Sequence, residues 1–321
     1  MVSTTYFPSY CSQNPMAQRP TTESVISVVE AAQLGHEVYH NKGPLIQHPN
    51  ADVAFGGCIV GQAVSAAVAT VPSEFRLCSL QSSFLRPVKA SEKVIYHIDR
   101  TADGRKSATR VVRATQPMAG LSPCLYIAIL SFQRPGKSEG KNKLDYHSLM
   151  PNVEGTTPQD VPQRSFQEFG FRLSGSSDEL EDPVERRPLP LLLSPNNPSQ
   201  TRARGFVRAV PLSNSSHAAH VASMVYISDE NLLSLVLLTD TETEGISRDM
   251  RSLAMTTTLT HQVTFHTPTV KADTWMVCES SRSWVADGRV SLLQQFWDFK
   301  SGQLIMTSTQ EALFMYSKPS L

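Results

Sequence analysis

The 321-residue chain contains one sequence pattern twice, and this repeat constrains its fold more than any other feature. Each copy opens with a Phe-to-Pro segment, continues through an Asp-Gly pair and ends in a strand-like run. The segments are Phe84–Pro87, Asp103–Gly104 and Leu130–Gln133 in the earlier copy, and Phe265–Pro268, Asp287–Gly288 and Thr307–Ala312 in the later one. A duplicated unit has a cleft at its internal interface, where one copy can keep the chemistry while the other shapes the pocket.

Size and charge fit two ordinary globular domains. At about 150 residues per domain, a chain of this length is expected to form roughly two. It has 29 basic and 29 acidic residues, so no global field favours nucleic acid or an anionic membrane. The longest apolar stretch, around residues 124–132, is far too short to span a bilayer. We therefore expect no nucleic-acid partner and no membrane span.

The cysteines and the two termini indicate an intracellular protein. No Cys-x-x-Cys pair occurs among the five cysteines, which are Cys11, Cys58, Cys78, Cys124 and Cys278. An odd, unpaired set fits a reduced compartment. The first 20 residues lack a basic start followed by an apolar core, which argues against a secretory signal. The final Pro-Ser-Leu follows a lysine and resembles a degraded peroxisomal signal, so we expect a cytoplasmic or peroxisomal location.

Sequence patterning divides the chain into four segments. Residues 1–22 are polar and irregular, which predicts a loose N-terminal arm. Prolines crowd residues 136–200, which predicts a linker or insertion with short strand or helix islands. The remaining segments, 23–135 and 201–318, hold the two copies of the repeat and are predicted to be two domains.

Each domain is predicted to be a helix followed by an antiparallel meander. In the first, apolar residues recur at helical intervals after Gly56–Gly57 and stop at Val71–Pro72. This helix is rich in small residues, so a strand layer could pack close to its axis. Helical spacing also covers Glu23–Leu34, and the helix of the second domain is predicted at Asn231–Leu238. The predicted strands cover Val94–Ile98, Ser107–Thr115, Leu125–Phe132, Arg204–Ala209, Leu259–Phe265, Thr274–Ser280, Arg289–Asp298 and Gln303–Tyr316.

One long helix against an antiparallel sheet, used twice in tandem, is an α+β fold of the double-hotdog type. Two half-sheets joined edge to edge would also remove two exposed strand edges, which otherwise invite pairing with other chains. The predicted architecture is therefore a double hotdog.

Three motifs that can carry chemistry fail on their context. Gly136–Gly140 has the spacing of a serine-hydrolase elbow, but it opens a Lys-rich linker and no apolar helix follows. Gly56–Gly61 is not Gly-x-Gly-x-x-Gly and follows no strong strand, which argues against a dinucleotide site. His217 and His220 are three residues apart, but no helix is predicted there and no nearby Cys or Glu completes a metal set. We expect no metal and no organic cofactor.

Three polar residues of the second domain remain as candidates for catalysis. Asp229 falls at the start of the helix predicted from Asn231, where a carboxylate would cap free N–H groups and stay ionised. Thr258 ends a run of three threonines, and Gln310 lies on an otherwise apolar strand. From the residues alone, plain structural alternatives stay open, namely an N-cap, β-propensity and a surface polar position.

Six short stretches carry a resemblance to a known family. They are Phe55–Ala63, Ser83–Pro87, Ser131–Gln133, Tyr226–Asp229, Phe265–Pro268 and Ser308–Glu311. Their order over about residues 24–316 resembles the acyl-CoA thioesterase II family, the double-hotdog enzymes of bacteria and peroxisomes. In that family an Asp, a Thr or Ser, and a Gln bind the attacking water. By motif these fall on Asp229, Thr258 and Gln310.

Departures from the family pattern leave this set intact. Gln81 stands where the family often has histidine, Thr260–Gln262 replaces the usual Asp-His-Ser, and Thr267 replaces an arginine. The changes bear on substrate preference. They suit a specialised lipid or secondary-metabolite pathway as well as general lipid metabolism.

The resemblance implies hydrolysis of an acyl-CoA or other acyl thioester, by activated water and without a covalent intermediate. Backbone N–H groups near Gly56 and Gly57 are candidates for holding the oxyanion, with a tight packing turn as the alternative. Two other functions stay open, a hotdog enoyl-thioester hydratase or dehydratase and a non-catalytic acyl-thioester binding protein. We also expect the chain to form a homo-oligomer.

Overall fold

The structure, a computed structural model, describes residues 21–47, 51–117, 120–136, 146–164, 172–173, 183–194, 197–213, 216–229 and 253–316. The α-helices of these ranges are α1 (Thr22–Ile26), α2 (Gly56–Val68) and α3 (His217–Ser228). The strands before α3 are β1 (Val28–Glu30), β2 (Val38–Asn41), β3 (Ile46–Gln47), β4 (Arg76–Phe84), β5 (Ile95–Asp103), β6 (Ser107–Thr115), β7 (Cys124–Gln133), β8 (Arg172–Leu173), β9 (Val184–Pro188) and β10 (Arg202–Ala209). After α3 come β11 (Leu253–Phe265), β12 (Met276–Ala286), β13 (Arg289–Asp298) and β14 (Leu304–Tyr316).

Twelve strands of the described chain form one antiparallel sheet, in the order β1-β2-β5-β6-β7-β4-β11-β14-β13-β12-β10-β9. The order has the same logic on both sides of the β4–β11 pair. The pair itself consists of the strands that follow α2 and α3 in the chain, β4 and β11. Next to each lies the last strand of its half, β7 or β14, and beyond that lie the earlier strands, β6 and β5 or β13 and β12. The register at the join sets Ser83 opposite Thr260 and Ser79 opposite Thr264. One continuous sheet of the described chain therefore runs across the β4–β11 pair.

Helix α2 is the central apolar element of the first half, and its predicted position is confirmed. It starts after Phe55, whose side chain makes no capping hydrogen bond, and most of its residues are buried. A Cβ added to Gly57 would lie 2.9 Å from Tyr226 O, and one on Gly61 would lie 3.3 Å from Ala222 O. These two glycines, one helical turn apart, therefore bring α2 against the backbone of α3. The sequence predicted close packing against strands, whereas the contact that needs glycine is between helices.

The helix prediction at Glu23–Leu34 needs correction. The helix of the first region ends at Ile26, because Val28–Glu30 pairs with β2 as a strand. In the described part of the second half the helix is α3, which the sequence did not predict and which starts where Ser216 Oγ accepts a hydrogen bond from the Ala219 N–H at 3.2 Å. The helix predicted at Asn231–Leu238 lies outside the described residues.

Strand predictions held best where turn chemistry supports them. Asp287 and Gly288, the Asp-Gly pair of the later copy, have φ values of 51° and 71°, which allow the tight hairpin between β12 and β13. Strands β6 and β13 have the predicted bounds. Within the predicted linker, β9 pairs with β10 and extends the sheet. The helices of the described chain all fall short of what crossing a membrane requires.

Candidate active site

Asp229 lies where the end of one helix meets the start of the other. It is the C-terminal cap of α3, its N–H donates to Tyr226 O at 3.3 Å, and its side chain is buried. Asp229 thus ends a helix that the sequence did not predict, whereas the helix predicted to follow it from Asn231 lies outside the described residues. Its carboxylate instead accepts a hydrogen bond from the N–H of Gly57. A Cβ on Gly56 would lie 2.5 Å from Asp229 Oδ2, so only glycine leaves room for the carboxylate there.

The environment of Asp229 makes it a base poised near neutral pH. Burial raises the pKa of Asp229 from 3.8 to about 7, against the opposing effect of hydrogen bonds from Thr258, Gly57 and Gln310. The prediction of a fully ionised carboxylate is therefore wrong near neutrality. Burial of the carboxylate, which the sequence did not reveal, disfavours the ionised form more than the start of α2 favours it. A carboxyl group with such a pKa is suited to accept a proton from water.

The structure brings the other two predicted residues onto this carboxylate. Gln310 Nε2 donates to Asp229 Oδ1 at 2.9 Å, and Thr258 Oγ1 donates to the same oxygen at 3.4 Å. Gln310 is 3% exposed, so its reading as a surface residue is wrong. Its Oε1 is buried and has no hydrogen-bond partner among the described residues. The amide thus binds the carboxylate with one end and presents an acceptor with the other.

A break in the strand register places Thr258 on the inner face of the sheet. The pairing of β11 with β14 shifts between Thr258 and Thr260, so one extra residue is accommodated there. As a result Thr258 lies opposite Ala312, and His261 lies opposite Gln310. Residues three apart on a regular strand face opposite sides, so Thr258 and His261 share a face only because of this bulge.

The first half has the same bulge but lacks the polar residues. The register of β4 with β7 shifts between Leu77 and Ser79, and Leu80 lies opposite Leu130. Leu77 therefore corresponds to Thr258, and Leu130 corresponds to Gln310. Both leucines are buried. The polar side chains that surround the carboxylate of Asp229 thus have no counterparts at these positions of the first half.

The glutamines in the last segments of the two repeat copies do not occupy equivalent positions in the sheet. Gln133 lies opposite Arg76 on an exposed position, whereas Gln310 lies opposite His261 inside the molecule. The similar sequences Ser131–Gln133 and Ser308–Gln310 therefore do not occupy equivalent positions in the sheet.

Gly56 and Gly57, the glycines predicted to hold the oxyanion, lie beside Asp229, although the N–H of Gly57 already donates a hydrogen bond. Its N–H binds the carboxylate of Asp229, so it is not a separate donor in this arrangement. The rings of Phe55 and Phe84 flank the start of α2. The Cβ positions of Gly57 and Gly56 would lie 2.4 Å from Phe55 Cε1 and 3.3 Å from Phe84 Cζ, respectively. Aromatic rings therefore form one wall beside the carboxylate.

His261 is a fully buried residue of β11 that lies opposite Gln310. Its Nε2 lies 3.0 Å from Ser228 Oγ and 3.0 Å from Ser308 Oγ. Burial lowers the pKa of His261 to about 3, so the ring is neutral. The two other histidines considered above, His217 and His220, lie on α3, where no helix was predicted.

Family models match most of the chain. Residues 46–133 match the model of the acyl-CoA thioesterase N-terminal domain, and residues 156–314 match that of the acyl-CoA thioesterase C-terminal domain. The chain belongs to the acyl-CoA thioesterase II family. The resemblance predicted from sequence is confirmed, and this thioesterase is accordingly a thioester hydrolase.

Relatives and solved structures of this family cover nearly the whole thioesterase. It is 25% identical to acyl-coenzyme A thioesterase 8 of Rattus norvegicus over 307 residues, which are 92% of this chain and 89% of the relative. It is 26% identical to acyl-CoA thioesterase 2 of Haemophilus influenzae, over 82% of this chain and 88% of that protein. The acyl-CoA thioesterase II TesB2 of Mycobacterium marinum superposes with a TM-score of 0.70 at 22% identity, over 94% and 100% of the two chains. A hot dog fold protein of Alicyclobacillus acidocaldarius reaches 0.63 at 14% identity, over 92% and 98%. The fold is a hotdog, as predicted.

Proposed function

We propose that this thioesterase hydrolyses acyl-CoA with a water that Asp229 activates and that Thr258 and Gln310 orient. The observation that carries the proposal is their convergence on one oxygen of a buried carboxylate whose pKa is raised to about 7. Such a group is a strong enough base to accept a proton, and enough of it is ionised at neutral pH to act.

The reaction needs no covalent intermediate. The thioester carbonyl is already electrophilic, so water attacks its carbon while Asp229 takes one proton. The tetrahedral intermediate collapses, the C–S bond breaks, and the proton on Asp229 passes to the departing thiolate. The products are a free acid and CoA thiol, and water supplies the only nucleophile. We therefore propose no cofactor.

Gln310 and Thr258 reduce the cost of orienting the water. The free Oε1 of Gln310 accepts the second water proton, while its Nε2 keeps the amide fixed on Asp229. Thr258 adds a hydroxyl on the same side. Holding the reactants in line replaces diffusional encounter by orientation.

The start of α2 is proposed to face the developing oxyanion. Gly56 and Gly57 lack side chains, so backbone N–H dipoles at the helix start stay reachable. Since Gly57 N–H is bonded to Asp229, we assign the role to the helix start as a whole. The acyl group is proposed to lie beside Phe55 and Phe84.

The finer architecture is also a proposal. The symmetric strand order and the two long helices support a tandem double hotdog, with units at 23–135 and 201–318 and an insertion at 136–200. Self-association, a specialised pathway and a peroxisomal location stay predictions. The terminal Pro-Ser-Leu lies outside the described residues.

Two rival functions are less well supported. A hotdog hydratase pairs an Asp with a His, but His261 bonds to Ser228 and Ser308 and not to Asp229. A pure binding protein would have no need for a buried carboxylate with a raised pKa, because ionising it is costly.

The test is thiol release from acyl-CoA by the purified Asp229→Asn variant. Removal of a general base lowers the rate by ~10²–10⁴-fold, and the fold should persist because the two side chains have the same shape. The matched control is Asp298→Asn, a carboxylate of the same half that only accepts hydrogen bonds from Ser301. Near wild-type turnover by a folded Asp229→Asn protein would refute the proposal.

A further inference from the structure

His261 is the centre of a buried polar cluster that connects three elements. Its Nε2 reaches Ser228 Oγ on α3 and Ser308 Oγ on β14, each at 3.0 Å, while His261 itself lies on β11. All three side chains are fully buried. Buried polar groups are costly unless they are paired, so these residues hold one another in place.

Each member of the cluster is a close chain neighbour of one site residue. Ser228 immediately precedes Asp229, and Ser308 lies two residues before Gln310 on the same face of β14. His261 follows Thr258 across the bulge and lies opposite Gln310. One imidazole therefore connects the three segments that carry the proposed catalytic groups.

The hydrogen bonds assign the proton to Nε2. The hydroxyl of Ser228 donates to Val225 O at 2.8 Å, so its oxygen accepts from His261 Nε2–H. His261 Nδ1 has no partner among the described residues, and an unpaired acceptor is less costly there than an unpaired N–H. The ring stays neutral, so these bonds persist over the pH range in which Asp229 titrates.

We propose that His261 is a positioning residue of the hydrolysis, whose ring fixes the segments carrying Asp229 and Gln310 against the strand carrying Thr258. The proposal rests on the proposed function. The first half of the chain supports it, because Leu80 occupies the equivalent place there, opposite Leu130. In the first half, where these positions carry no polar residues that need to be fixed in place, the counterpart of His261 is apolar.

The test compares His261→Leu and His261→Gln by measuring kcat and KM for thiol release. Leucine removes the donor, and we expect kcat to fall by ~10–100-fold with KM changed less than about twofold, because misplaced groups lose alignment and not binding. Glutamine returns a donor near Nε2 and is expected to restore kcat to within about threefold of wild type. The matched control is Ser82→Ala, which removes a hydrogen bond to the backbone of His261 but leaves its ring untouched, and should leave kcat within about twofold.

A double-mutant cycle with Gln310→Ala separates positioning from general stability. If His261 acts through Gln310, His261→Leu should lower kcat by less than about threefold in the Gln310→Ala background. Equal losses in both backgrounds, or a glutamine variant as slow as the leucine variant, would overturn the proposal. If His261→Leu does not fold, Ser308→Ala replaces it in the same cycle, and unchanged kcat there would equally overturn it. Retained activity in Asp229→Asn, by contrast, would refute the proposed function itself.

Discussion

Gln310 shows at the scale of one residue how burial turns a plain side chain into a candidate for function. Its amide donates to Asp229 at 2.9 Å, and its carbonyl oxygen lies buried without a partner in the described part of the chain. A buried acceptor left open is uncommon in proteins and invites a functional explanation. A water held for attack provides one.

We expect the losses caused by Thr258→Ala and Gln310→Ala to be non-additive. Both side chains bond to the same oxygen of Asp229, so both orient the same water. Once one has been removed, loss of the other costs less than it does in the wild type. The measurement is kcat of the two single variants and the double variant. Fully multiplicative losses would show that the residues act independently.

The residues of the candidate site were proposed from sequence, but their environment could not be predicted from it. The motifs located Asp229, Thr258 and Gln310. The raised pKa of Asp229 depends on burial by both halves, and the inward placement of Thr258 depends on a bulge that has no signature in the sequence. Such long-range effects are absent from any single stretch of chain.

The contact between α2 and α3 decides the geometry at the scale of elements. Gly57 and Gly61 present one bare stripe to the carbonyls of Tyr226 and Ala222. This approach sets the end of α3, and hence Asp229, at the start of α2. The helix that was predicted correctly has clear glycine and proline boundaries. Helix α3, which was not predicted, starts at a serine cap and is buried over most of its length. This burial weakens the helical period of its apolar residues.

Gly61→Val should destabilise the protein. The new Cβ would lie 2.6 Å from Ile26 Cγ2 and 3.3 Å from Ala222 O, so either the helices separate or the side chains strain. Overpacking of this kind costs about 1–3 kcal/mol in the free energy of unfolding, which urea unfolding can measure. Gly136→Ala is the control, because nothing lies within 4 Å of its Cβ position. A Gly61→Val protein as stable as wild type would show that the contact is looser than described.

At the scale of the whole molecule, several contacts join the halves besides the packing of α2 on α3. Strands β4 and β11 pair, Thr22 Oγ1 lies 2.7 Å from Ser223 Oγ, and Asp229 binds the start of α2. The proposed site therefore needs both halves, although its polar side chains all come from the second.

A fragment of residues 1–140 should not fold cooperatively on its own. It would expose the β4 edge and the glycine stripe of α2 together, which favours aggregation. Size-exclusion chromatography and thermal circular dichroism would test this. A soluble, monomeric fragment with a sharp unfolding transition would contradict it.

The most direct test of Asp229 as the general base is the pH dependence of kcat/KM for acyl-CoA hydrolysis. Because the carboxylate must be ionised to accept a proton, activity should rise about tenfold per pH unit below a midpoint near the pKa of about 7, and level off above it. Asp229→Asn should lose this inflection together with the activity. A wild-type profile that stays flat through neutrality, or that turns near the ordinary aspartate pKa of about 3.9, would contradict the account.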